Sequence, residues 1–206
     1  MKFFGVYFIC FLIFCAWLFY EQRKAARKDK KLSDEFWARE AEANRTRKKD
    51  ISHLPLLHVK EEELPIGDSS DESVLYYIDH LRHIIKTPMI DLSDYSNTDL
   101  KLAYGVANFK TLSEYDEHYS TFLLTLSNLG RAYARAEQFD LAKETYLLAL
   151  HYGSKKLSDY TDLAHVYLKL DEPQNITALI EELDSSCHPR KASIIENLQL
   201  VLKQYQ

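Results

Sequence analysis

Hydrophobic positions fall into three regimes along the chain. The first, Phe3 to Tyr20, is an unbroken run of 18 uncharged residues between Lys2 and Glu21, nine of them aromatic. As a helix rising about 1.5 Å per residue it would reach roughly 27 Å, close to the hydrocarbon thickness of a bilayer. Apolar on every face, it is not the one-sided pattern of a helix resting on a soluble core. The second regime, 21–49, is a polar collar in which Leu32, Phe36 and Trp37 stand among many charges. It reads as a helix leaving the run, with Phe36 and Trp37 able to dip among lipid headgroups. Residues 50–67 carry Pro55, Pro65, Gly67 and three consecutive glutamates, and read as a linker.

The third regime repeats at helical spacing to the C-terminus. In 68–122 a first helix is expected from Ser69 and Glu72, which have capping-box spacing, through Val74, Ile78, Leu81 and Ile85 to a stop at Thr87-Pro88. A second is expected from Asn97-Thr98, with Leu100, Ala103, Tyr104 and Ala107 on one face. A third is expected from Ser113, with Tyr119, Phe122, Leu126, Leu129 and Tyr133. No stretch sustains strand alternation, so the fold class expected is all-α.

Between 123 and 190 the pattern repeats with a period of 34. Leu126, Leu129, Gly130, Tyr133, Ala142, Tyr146 and Ala149 match Tyr160, Leu163, Ala164, Tyr167, Ile176, Ile180 and Leu183 one for one. This resembles the tetratricopeptide repeat, in which small residues let paired helices approach closely. The helix expected over 191–206, with Ile194, Leu198 and Val201, would cap such a stack. The segments Asn97-Thr98-Asp99-Leu100-Lys101 and Ser113-Glu114-Tyr115-Asp116-Glu117, joined to the repeats, resemble membrane-anchored repeat proteins of bacteria. The resemblance implies a short α-solenoid that binds protein on its concave face and carries no catalytic activity. The positions it assigns to that face include Ser127, Arg131 and Arg135 in the first unit, and Thr161, His165 and Lys169 in the second. Two basic rungs in register suit an acidic segment or a free C-terminus.

Charge sharpens this picture. The net charge is −5, but it divides into +1 for residues 1–20, +4 for 21–50 and −10 for 51–206. A basic collar between an apolar run and an acidic body is a membrane pattern and not a nucleic-acid one. Arg23, Lys24, Arg27, Lys28, Lys30 and Lys31 outweigh Lys2, so the collar and the body are expected in the cytosol and the N-terminus outside. Cleavage of a signal peptide would want small residues where Trp17, Phe19 and Tyr20 stand. An exported, surface-anchored body is the alternative topology, and self-association the alternative role.

Reactive chemistry is sparse. Five glycines and no Gly-x-Ser-x-Gly leave no phosphate loop or nucleophile elbow. His80 and His83 lack a third ligand in register, and Cys187-His188 lacks an orienting base. No metal, cofactor or nucleic acid is expected.

Overall fold

A computed structural model describes the backbone of residues 2–205 and the side chains of Tyr7 and of residues 11–204. The described residues are all-α. The helices are α1 (Lys2–Ala43), α2 (Glu72–Ile84), α3 (Asn97–Tyr104), α4 (Phe109–Arg135), α5 (Phe139–His151), α6 (Leu157–Lys169), α7 (Pro173–Ser185) and α8 (Lys191–Tyr205). They form two compact units, one of Met1–His53 with Asp94–Lys110, the other of Leu54–Ser93 with Thr111–Gln206. These units group the segments divided at 20, 49, 67 and 122 in another way. The apolar run and the collar as far as Ala43 are one unbroken 42-residue helix, and 44–49 lie outside it. The 68–122 segment is split, because 94–110 belongs with α1.

In the first unit α3 packs on the C-terminal end of α1. The Arg39 guanidinium donates to Asp99 at 2.5 Å and Lys101 to Glu40 at 3.1 Å, while the Thr98 hydroxyl also donates to Glu40. Ala43 is fully buried. The chain leaving α1 is held by Asn108, buried, whose amide donates to the Lys49 and Tyr104 carbonyls at 2.7 and 2.8 Å. Gly105 turns the end of α3 at φ 89°, where a Cβ would stand 2.3 Å from the Arg47 carbonyl oxygen. The α3 cap is a true capping box, but its residues are Ser96 and Asp99.

In the second unit the expected linker is part of the core. Val59 and Leu64 are buried, the Leu57 amide donates to the Met89 carbonyl at 2.8 Å, and the Pro65 carbonyl accepts from the Tyr133 hydroxyl at 2.9 Å. Prolines at both ends break a long helix there, and the segment lies as a strap on apolar surface with one 3-10 turn at Glu61–Glu63. The N-cap of α2 is Asp71, which accepts from the Ser73 and Val74 amides; the Ser69–Glu72 box does not form. Helix α4 starts at Phe109, four residues before the expected Ser113.

The 34-residue period is written into the backbone as well as the core. Helices α4 and α6 both end in a Schellman turn, with Glu137 and Asp171, 34 apart, in the left-handed region at φ 59° and 60°. The Gln138 amide donates to the Tyr133 carbonyl and the Glu172 amide to the Tyr167 carbonyl, at 2.9 and 2.8 Å. Of the paired positions, Leu126, Leu129, Tyr133, Ala142, Tyr146 and Ala149 are buried, as are Tyr160, Leu163, Ala164, Tyr167, Ile176 and Leu183. Ile180 is half-buried. Helix α8 lays Ile194, Leu198 and Val201 against α6 and α7, covering the last apolar face.

Candidate functional site

Helices α4 and α6 each present one face of residues three and four apart, and the regular offset between them brings those faces side by side. A cavity of about 380 Å³ lies there, over Phe139, Tyr146 and Val166. Arg131, Arg135, His165 and Lys169 all line it, so the two basic rungs expected from the period do share one groove.

The groove is less basic than the spacing suggests. Arg131 Nε donates to Asp162 Oδ2 at 2.9 Å, and Tyr146, fully buried beneath, sends its hydroxyl toward the same oxygen at 3.4 Å. Desolvation opposes the Arg131 charge, but Asp162 outweighs it and holds the guanidinium more firmly protonated than usual. Burial, then the Asp162 charge, pushes the Tyr146 phenol far above its ordinary range. The cationic excess therefore comes from Arg135 and Lys169, both exposed. His165 joins them when protonated. Its Nδ1 lies 2.8 Å from the Thr161 carbonyl, which can only accept, so Nδ1 carries the proton and Nε2 is left for a partner.

Two expected residues do not line the groove. Ser127 is buried, 1% exposed, and its hydroxyl reaches the Leu123 carbonyl at 2.9 Å and Asp159 Oδ2 at 2.8 Å. Ser154 donates to that same Asp159 oxygen at 2.5 Å. This cluster ties α4 to the α5–α6 turn and to α6, and its role is structural. Thr161 turns its hydroxyl back to the Leu157 carbonyl at 3.0 Å, closing a bond within its own helix. Asp162, missed in the sequence, was within reach of the repeat register: it sits one turn before His165 on the helix facing Arg131.

On α1 every residue from Phe11 to Tyr20 is exposed, and the Arg23 guanidinium lies 4.6 Å over the Phe19 ring. Among the described residues no helix is long and apolar enough to cross a membrane. The expected span 3–20 begins in residues 3–6 and 8–10, whose side chains lie outside that description. Among the described residues no three His, Cys, Asp or Glu side chains gather as metal ligands.

No family model, no curated protein and no solved structure matches this chain.

Proposed function

We propose that this chain is a membrane-tethered adaptor, with no catalytic role, that holds a tetratricopeptide-like helical stack at the cytosolic face of a cell membrane. The observation that carries this reading is the ten-residue stretch Phe11–Tyr20, exposed on all sides of one helix and followed at once by the basic cluster from Arg23 to Lys31. Such a surface has no favourable place in water. Sequence continuing it back to Phe3 completes a bilayer-length run, and the cations beyond it match an anionic inner leaflet. The paired Schellman turns and buried positions 34 residues apart support the repeat assignment. The groove carrying Arg135 and Lys169 suits an acidic peptide or a chain terminus, seated on Phe139 and Val166.

The full chain, expressed in cells, should stay with membranes through alkaline carbonate washing, and protease added outside should leave 54–206 intact. Release by carbonate overturns the anchor, and digestion of the body from outside reverses the topology. Groove binding is tested separately with partners captured by crosslinking in cells. Arg135→Glu with Lys169→Glu should weaken the captured partner about tenfold or more, each charge-assisted contact being worth about 1.5–3 kcal/mol. Both side chains are exposed, so the fold should be unaffected. Equal affinity removes the groove from the reading.

A further inference from the structure

The groove between α4 and α6 differs from one end to the other. Two bonds fix how its helices run: Ser127 meets Asp159 and Arg131 meets Asp162, so α4 and α6 are parallel. The charged groups lining the cavity therefore follow one order along both helices. Toward the helix starts stands the Arg131–Asp162 pair, which carries no net charge. At the far end stand Arg135 and Lys169, the last residues of their helices. Asp162 is the one acid among the lining residues; Glu137 and Asp171 follow in the turns and do not line the cavity.

Asp162 is only half engaged. Its Oδ2 accepts from Arg131 Nε and faces the Tyr146 hydroxyl. Its Oδ1 has no hydrogen bond among the described residues, and the side chain is 32% exposed. An open carboxylate oxygen accepts donors and repels a second acid. A partner acidic along its whole length would set one carboxylate on Arg135 and Lys169 and press another against Asp162. From Asp162 to Lys169 is seven residues of helix, about 10.5 Å along the axis. About three residues of extended chain span that distance. A helical partner, about 10–12 Å across, is too wide to sink between neighbouring helices whose axes lie about 8–10 Å apart.

We propose that the partner segment is extended and carries both signs of charge. An acidic side chain sits on Arg135 and Lys169, an apolar one over Phe139 and Val166, and a lysine or arginine about three residues from the acid sits on Asp162 Oδ1. Asp162 is then the residue that sets the specificity of the groove. The inference rests on the groove reading above and narrows its partner from an acidic segment to a dipolar one.

The test uses the full chain in detergent micelles and three fluorescent peptides with blocked ends, alike except for their cores: Lys-Leu-Val-Glu, Gln-Leu-Val-Glu and Glu-Leu-Val-Glu. By anisotropy the lysine peptide should bind about threefold tighter than the glutamine one, the scale of a partly exposed ion pair, and the doubly acidic peptide should bind most weakly. Asp162→Asn should remove the preference for lysine and make the doubly acidic peptide the tightest, because Arg131 is released. Arg131→Gln, which leaves Asp162 without its internal partner, should enlarge the preference for lysine; it decides the matter alone if Asp162→Asn binds nothing. A parent protein that favours the doubly acidic peptide overturns the proposal, as does a ranking unchanged by these variants. The groove reading fails differently: no peptide binds the parent, or Arg135→Glu with Lys169→Glu leaves all three affinities unchanged, and either result overturns both. Binding lost in that double variant, with a ranking indifferent to Asp162, overturns the dipolar partner alone.

Discussion

Gly130→Ala tests the helix packing at its tightest point. A Cβ on Gly130 would stand 2.8, 2.9 and 3.0 Å from three atoms of the Tyr146 ring. That ring is fully buried, with its hydroxyl directed at Asp162, and it has little room to swing. Two effects oppose each other. Alanine in a helix interior gains about 1 kcal/mol over glycine. Forcing a methyl into a filled core costs about 1–3 kcal/mol. With a rigid ring on the other side of the contact, the steric cost should win, and the variant should lose about 1 kcal/mol net. Gly130→Leu, which adds three more carbons at the same point, should lose more. For a chain of this size 1 kcal/mol lowers the melting temperature by about 2–4 °C. Hydrogen exchange of peptides from 123–152 gives the local readout in the full chain. The control is Tyr146→Leu, which removes the ring. In that background Gly130→Ala should become neutral or stabilising, a non-additivity expected only of touching residues. A Gly130→Ala protein as stable as the parent, or the same penalty in both backgrounds, would refute the close approach of α4 and α5 at this site.

Asp159→Ala should cost about 2–3 kcal/mol in urea unfolding, because it strips buried Ser127 and Ser154 of a charged acceptor; a loss under 0.5 kcal/mol would mean that water replaces the carboxylate. Ser127→Ala should lower stability by about 1 kcal/mol yet leave partner affinity unchanged, contrary to its expected place in the groove. Tyr119 and Tyr152 are pushed up to about 12, chiefly by burial and then by Asp91 and by Glu63 respectively. Their folded values exceed the ordinary one near 10, so their contribution is complete below about pH 10 and is lost as pH rises through about 12; phenolate absorbance rising before helix loss would contradict this. Glu40 is held below its usual range by the Thr98 hydrogen bond and then by Lys101, and Asp99 by Ser96 and more weakly by Arg39. Depressed carboxylates stabilise above their unfolded values and lose that contribution as pH falls through the folded ones, so exchange protection in α3 should drop in acid before that in α4–α6; simultaneous loss would count against a separate α1–α3 unit.

Periodicity alone set the all-α class, the positions of the core and the spacing of the stack, because a helix face is defined by residues three and four apart. Burial of Leu126, Tyr133, Ala142 and Tyr146, with their counterparts 34 residues on, follows from that rule. So does the gathering of Arg131, Arg135, His165 and Lys169 around one cavity. The run 3–20 and its basic flank are likewise plain in composition. Tertiary structure decided which face meets which. Helix α3 has an apolar side in any reading, but only the fold pairs it with α1, through Arg39–Asp99 and Lys101–Glu40, groups about 60 residues apart. Prolines at 55 and 65 announce a break in helix, yet whether the strap between them floats or packs depends on the Tyr133 hydroxyl and the groove beneath it. Ser127 and Arg131 look equally exposed on a helical wheel. The neighbouring helix supplies Asp159 to bury the first and Asp162 to neutralise the second, and a period fixes the direction of a side chain without naming the charge it will meet.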